Sequence, residues 1–524
     1  MTLVRLALLI SCLAGSAAAE PRILALSEND AAAYGSAFDA VEAGNWRGAG
    51  TALGRIEDDA LVGVVRGRML LAGGYRPSWS DYGQWLRQYG DYGMAQAVYE
   101  RAMASRARRS RAQAPAPRPA GVRQLPGTAP PPPGDSAAFR IAIARIDEHL
   151  GAGDDEAAHT LALAALGTPR AGQAEWRLGL IAFRQHDYAE AARRFEASAH
   201  WPHHGGWARA AAQYWAARAG LAAGQTQGAA QHYEAAAALP WTFYGQLAEA
   251  QLGRASALEF TPPSLDADTL TAFIEAHPGA RRAAGLAQLG RLSEVESELR
   301  RLHGDLAPEE DRVFLALAIA LQAPSAQLRA AEYGGPEQAS GFCPANTFAP
   351  EDGFALDRAL LYAIVRQESY FNPKAVSVSN ARGLMQLLPS TARDMDRATN
   401  YRRNPAALFE PGLNMRLGQS YLRWLMNEFH SDGDLARVFA AYNGGPGWLQ
   451  RWLETQPNGM DPLLLLETLP RAESRDYAER ALSHMGLCRK SYGQPTPELD
   501  RLAAGQPARY QALDARAATS LGGP

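Results

Sequence analysis

One acidic residue, Glu368, stands at the end of an apolar helical stripe with a polar turn just beyond it. Leu360 and Ile364 are four residues apart, Leu361 and Val365 form the neighbouring row, and Glu368 falls four after Ile364. At helical spacing these positions continue one face, so the carboxyl points inward and not at bulk water. A carboxyl desolvated by apolar neighbours has its charged form disfavoured, which lets it hold a proton near neutrality as a general acid. The plainer alternative is a helix-end glutamate paired with a nearby cation such as Arg366. Three more polar blocks follow. Ser377 precedes Ala381-Arg382-Gly383-Leu384-Met385-Gln386-Leu387-Leu388-Pro389, where Gly383 permits a turn that a Cβ would resist and Gln386 brings amide donors and an acceptor. Ala440-Ala441-Tyr442-Asn443-Gly444-Gly445-Pro446-Gly447 ends a helix expected from about Asp434. Glu467-Thr468-Leu469-Pro470 comes before Glu473-Ser474-Arg475-Asp476-Tyr477. Alone, Tyr442 reads as a core aromatic, and Glu473 with Arg475 as a structural ion-pair cluster.

The elements that must position these groups are helices almost throughout. Residues 20–104 carry Ala, Leu and aromatic residues at helical spacing, interrupted by Gly44-Asn45 and Gly73-Gly74. Residues 105–136 shift to Arg, Ala and Pro, with Pro130 to Pro133 in a row, and read as an extended, mobile linker exposed to proteases. Residues 137–340 return to helical patterning with internal similarity. Trp176-Arg177-Leu178-Gly179 with Phe183, Tyr188, Ala191 and Phe195 resembles a tetratricopeptide-like helix pair, and Tyr214 to Ala219 with Gly224, Ala229, Tyr233 and Ala236 makes a second. Stacked pairs of this kind build a curved solenoid whose aromatic residues serve mainly packing. Residues 491–524 are expected as a C-terminal tail.

The first 19 residues, with Arg5, the apolar run Leu6 to Ala14 and Ala17-Ala18-Ala19, read as a secretory signal. Leu9-Ile10-Ser11-Cys12 offers the alternative of a lipoprotein anchored through Cys12. Nothing else is long and apolar enough to span a membrane. Removing residues 1–19 takes away Arg5 and no acid, leaving 51 basic against 55 acidic residues and a formal charge of −4. Such a balance excludes nucleic acid as an expected partner. Of three cysteines, Cys343 and Cys488 would remain, too few for a metal cage but able to pair in an oxidising compartment.

Helical repeats ending in Trp241-Thr242-Phe243-Tyr244-Gly245-Gln246-Leu247-Ala248 and followed by the Glu368-Ser369 and Gly383-Leu384-Met385-Gln386 blocks resemble the soluble lytic transglycosylases of bacterial cell walls. The resemblance implies an all-α protein, an N-terminal α-superhelical scaffold followed by a lysozyme-like α catalytic domain at 341–490. It implies Glu368 as catalytic acid, and Ser377, Gly383, Met385, Gln386, Leu388, Ala441, Tyr442, Asn443 and Glu473 as substrate-binding residues, with the Tyr442 hydroxyl reaching the catalytic centre. The sequence departs from the family at Asn380, often Gly, at Leu388, where the family has Met, and at Ser474, which replaces Thr. Asn tolerates the left-handed conformation, so the turn is expected to survive. The implied substrate is the glycan strand of peptidoglycan, cleaved in the periplasm without metal or organic cofactor, with cell-wall synthesis or secretion machinery as candidate partners. Most glycosidases need two carboxylates, whereas here the muramic acid C6 hydroxyl would attack its own anomeric carbon and leave a 1,6-anhydro ring. A muramidase hydrolysing the same bond and a non-catalytic cell-wall scaffold are the alternatives.

Overall fold

A computed structural model describes residues 23–106, 113–344, 347–427 and 431–514. The expected signal segment, with Cys12, lies outside the described residues. Among those residues the secondary structure is helical, with isolated bridges in place of strands, as the all-α reading requires. The chain packs as two units, one of Met1–Gln124 with Thr261–Thr347 and the other of Leu125–Phe260 with Phe348–Pro524. This departs from the expected boundaries, since the repeat region 137–340 divides at Thr261. The reason lies in the apolar faces beyond that point: Leu286, Val295, Leu299 and Phe314 share one core with Phe38, Val64, Val65 and Trp85 of the N-terminal block.

In the first unit, helix starts are set by local polar groups. Ser27 accepts from the Asp30 amide to open Glu28–Glu42, and Ser78 with Asp81 forms a reciprocal capping box before Trp79–Tyr89. A buried pair, Arg282 to Glu298 at 2.8 Å, is completed by the Gly93 amide on Glu298 and by the Tyr92 ring 3.9 Å beneath the guanidinium. The Pro/Arg-rich segment does not behave as the free linker expected of it. From 113 to 124 it has no helix, yet the Arg118 amide donates to the Gly90 carbonyl at 2.9 Å and the Gly121 amide to Asp305 at 2.7 Å. Arg123 forks onto the Asp311 carboxylate and also meets His303. Composition showed only that this segment lacks apolar periodicity; it could not show that later helices hold carboxylates waiting for its arginines.

In the second unit the tetratricopeptide-like reading holds at close range. Phe195 lies 5.2 Å from Trp176, and Trp215 lies 5.0 Å from Phe183, so the repeat aromatics are packing groups. The Thr242-Phe243-Tyr244-Gly245 segment is also explained. Thr242 caps the helix Phe243–Leu252, Phe243 is fully buried, and Gly245 is required because a Cβ there would lie 2.0 Å from the Leu239 carbonyl oxygen. Tyr244 accepts from Trp215 at 2.9 Å and donates to Glu467. Residues 491–514 are packed and not a tail: Pro497–Ala503 is helical, Glu498 pairs with the buried Arg489, and the Ala508 carbonyl accepts from the Leu435 amide. Cys343 and Cys488 are both disulfide-bonded.

Arg123→Ala should therefore lower unfolding free energy by about 3 kcal/mol, because it leaves the buried Asp311 carboxylate without its cation. Arg118→Ala, whose exposed side chain sits 3.6 Å from Asp91, should cost under about 1 kcal/mol. Denaturant titration of both variants checks the contrast; equal effects would return the segment to linker status.

Candidate functional site

Glu368 is carried by the helix Arg358–Ser369, whose buried residues include Leu360, Leu361, Ile364 and Val365, the predicted stripe. Asp357 precedes its first turn and is fully buried. Its carboxylate accepts from the Leu513 and Asp514 amides and lies 3.2 Å from Arg489, while its own amide donates to the Tyr510 hydroxyl. Residues taken for a tail thus fix the start of this helix. Its end is equally defined, with Tyr370 and Phe371 at φ 54° and 62°. Two left-handed non-glycine residues in succession are strained, and burial of the Phe371 ring against Tyr362 at 5.5 Å offsets the strain. The consequence is a helix that stops one residue after its glutamate.

The Glu368 carboxyl receives one hydrogen bond, from the Tyr477 hydroxyl at 2.6 Å. Burial pushes its pKa up to about 7; the Tyr477 bond opposes the rise and the neighbouring Glu473 carboxylate adds to it. A carboxyl in this state is half-protonated near neutrality and can both give and take a proton. Tyr477 and Glu473 are four residues apart on the helix Ala472–Ser491 and so share a face. Behind them the Tyr442 ring lies 6.3 Å from that of Tyr477 and 12° from parallel, and Tyr421 lies 5.3 Å from Tyr442.

The expected site residues separate into distinct groups. Tyr442 is at the centre, but its hydroxyl donates to the Met385 carbonyl at 2.8 Å, and it is Tyr477 that touches the acid. Gln386 donates both amide protons to the Ala375 and Gly383 carbonyls, so the amide holds its own turn. Ser377 accepts from the Ala381 amide at 3.0 Å, and Asn380 takes the left-handed conformation expected of it, φ 67°. Gly383, at φ 79°, is obligatory, since a Cβ would lie 2.2 Å from the Leu408 carbonyl oxygen. Met385 and Ala441 have fully buried side chains, whereas Leu388 is exposed. Asn443 accepts from Ser474 at 2.8 Å. Glu473 and Arg475 part company: Glu473 is exposed near Glu368, while Arg475 is buried beside Asp147 and Glu467.

Two residues were given no role from the sequence. Tyr477 had a visible signal in its spacing of four from Glu473. Asn414, fully buried, had none: its amide donates to the Arg382 and Leu408 carbonyls and its oxygen accepts from the Met385 amide, so it ties down the Gly383 turn. Asp396 accepts from Tyr401 and Thr399, which hold it below the usual carboxylate range, and Arg416 adds to this; it is an ionised structural group.

Residues 346–463 match the family model described as Transglycosylase SLT domain. A soluble lytic murein transglycosylase of Salmonella typhimurium is 36% identical over 147 residues, 27% of this chain and 22% of that relative's length. The crystal structure of the 70 kDa soluble lytic transglycosylase of Escherichia coli aligns over 90% of this chain and 98% of its own, with TM-score 0.58 and 16% identity. An inactive glutamate-to-glutamine mutant of lytic transglycosylase Slt from Pseudomonas aeruginosa aligns over 91% and 74%, with TM-score 0.53 and 20% identity. At these identities the likeness to the solved structures is one of fold, and that fold is the superhelical all-α architecture with a lysozyme-like domain read from the sequence. Glu368, Gln386 and Tyr442 all lie inside the matched domain, and Glu473 and Tyr477 lie beyond its end.

Tyr477→Phe removes the bond that holds the Glu368 pKa down, and Glu473→Gln removes the charge that holds it up. The first should raise the Glu368 midpoint above about 7 and the second should lower it. Carboxyl-carbon NMR titration reads both; movement in the same direction would show that neither group faces the acid.

Proposed function

We propose that this protein is a periplasmic lytic transglycosylase that cleaves the MurNAc-β-1,4-GlcNAc bond of peptidoglycan, with Glu368 as its single general acid and base. The observation that carries the reading is the Glu368 carboxyl, raised to about 7 and bonded to a tyrosine and, among the described residues, to no cation. Protonated, it gives its proton to the leaving glycosidic oxygen; ionised, it takes the proton of the muramic acid C6 hydroxyl as that oxygen closes on the anomeric carbon. The product is a 1,6-anhydromuramoyl end, and no water is consumed. Glu473 fits an electrostatic role, stabilising positive charge that develops at the anomeric carbon. The names of the relatives and the inactive glutamate-to-glutamine form of one of them support the reading.

On this proposal the glycan runs past Leu388, Tyr442, Asn443 and Glu473. Ser377, Gly383 and Gln386 shape the turn that borders it, and Met385 and Ala441 contribute through their backbone. Secretion by residues 1–19 delivers the enzyme to its substrate, with lipidation at Cys12 the alternative, and partners in cell-wall synthesis or secretion machinery follow from the substrate.

Glu368→Gln keeps size and hydrogen-bond reach but removes the exchangeable proton, so solubilisation of sacculi should fall by at least ~10²-fold. The stability effect has the opposite sign. Between pH 4.5, its ordinary value, and about 7 the native carboxyl keeps a proton that the unfolded chain releases, so native stability falls as pH rises through that window. The variant lacks this loss and should melt at or above the native temperature at pH 8. Mass analysis of the native digest should give muropeptides lighter by one water than hydrolytic ones. Reducing ends in their place would make the enzyme a muramidase, and a Glu368→Gln protein of near-native rate would remove the single-acid mechanism.

A further inference from the structure

Three tyrosines stand around the acid, and the hydroxyls of two are committed. Tyr477 donates to Glu368 and Tyr442 to the Met385 carbonyl. The third, Tyr421, is carried by the helix Pro411–Asn427. That helix is pressed against Met385, since a Cβ at Gly418 would lie 2.3 Å from the Met385 sulphur, and Tyr421 follows Gly418 one turn later. Charge on the Tyr421 hydroxyl would be felt by both Tyr442 and Tyr477, so that hydroxyl is on the acid's side of the cluster.

Yet the Tyr421 hydroxyl makes no hydrogen bond among the described residues. Burial pushes its pKa up to about 12, so it stays protonated and able to donate. A half-buried phenol normally finds a partner, and this one has to take it from water or from a ligand. One turn further along the helix is Trp424, 5.9 Å from the Tyr421 ring and 10° from parallel. Of the eleven tryptophans it alone is exposed, at 38%, and its indole N–H is also unpartnered among the described residues. Ring-to-ring steps of 6.3, 5.3 and 5.9 Å lead from Tyr477 through Tyr442 and Tyr421 to Trp424, so the indole stands within a few sugar units of the acid. An apolar ligand could use the indole but not the free hydroxyl, and a charged one would find no counter-charge on either residue. A pyranose uses both: its C–H face packs on the negative face of the indole, and a hydroxyl or acetamido oxygen accepts from the phenol.

We propose that Tyr421 and Trp424 form a further sugar-binding subsite, in which the Trp424 indole packs against one sugar of the glycan strand and the Tyr421 hydroxyl donates to an oxygen of the neighbouring sugar on the acid's side. The choice of a glycan strand as occupant rests on the peptidoglycan reading and extends it. The strand is held along the helix Pro411–Asn427, away from the bond that is cut.

Hydroxyl-radical footprinting of the full chain carrying Glu368→Gln, with a peptide-free glycan octasaccharide as the probe, tests the placement. Bound octasaccharide should protect Trp424, and the stem tripeptide L-Ala-γ-D-Glu-L-Lys should not. Isothermal titration with the same octasaccharide reads the affinity. Against the Glu368→Gln parent, adding Trp424→Ala should weaken binding about three- to tenfold, and Trp424→Phe, which keeps a ring, should restore most of the loss. Tyr421→Phe keeps the packed ring and should weaken binding by about the same factor through the lost hydrogen bond. The footprint needs no substitution at either position, so it decides the matter where a variant fails to fold. Absence of octasaccharide binding, an unprotected Trp424, protection by the tripeptide instead, or unchanged affinity in both Trp424→Ala and Tyr421→Phe would overturn the proposal. An octasaccharide that binds and leaves Trp424 unprotected removes the subsite alone, whereas failure of the transglycosylase reading appears in the masses of the sacculus products.

Discussion

A carboxyl that is to act near neutrality has to be kept from water and from cations at once, and the architecture around Glu368 meets both conditions. Its helix buries the four apolar residues that precede it, and its hydrogen-bond donor is a phenol. The nearby charge is a second carboxylate. A rise from 4.5 to about 7 corresponds to roughly 3 kcal/mol of disfavoured ionisation. For a protein whose whole stability is of order 10 kcal/mol, that is a large local cost, and it has to be offset by packing elsewhere.

The offset is found at the two ends of the acid helix and along the helix Ala472–Ser491 that packs on it. Asp357, at the start, is tied to Arg489 and to three groups of the segment 510–514. Arg475, two residues before Tyr477 and buried, is shared between Asp147 of the repeat and Glu467. Breaking such buried pairs typically costs 3–5 kcal/mol when one partner is removed, so the repeat and the C-terminal segment set where Tyr477 and Glu473 stand. The scaffold is for this reason part of the site, although it contributes no group that touches Glu368.

What could be read in the sequence follows the range of the interaction. The inward turn of Glu368, the left-handed Asn380 and the obligatory Gly383 depend on neighbours within a few residues, and periodicity or conformational preference exposes them. The Tyr477 bond to Glu368 spans 109 positions, and the tie from Asp357 to residues 510–514 more. Such contacts depend on which helix faces meet, which no local pattern states. The same limit applies to Tyr442, whose hydroxyl the family resemblance places at the catalytic centre: two tyrosines stack side by side there, and only packing decides which hydroxyl turns to the carboxyl and which to the Met385 carbonyl. The linker and the tail were misjudged because low apolar content hides carboxylate and backbone partners.

One further property follows from the polar groups that proved to be committed. Gln386, Ser377 and Tyr442 look in sequence like a set of hands for a substrate, yet each of them, like the buried Asn414, is bonded to the backbone of the 375–386 loop. A mechanism with one carboxylate and a nucleophile supplied by the substrate gains little from extra reactive groups. It gains much from rigidity, because the sugar's own hydroxyl must be aimed at its own anomeric carbon, and misplacement by an ångström can cost orders of magnitude in rate. Four side chains holding one loop supply that rigidity before any ligand arrives, which removes the ordering cost from the step that binds the glycan.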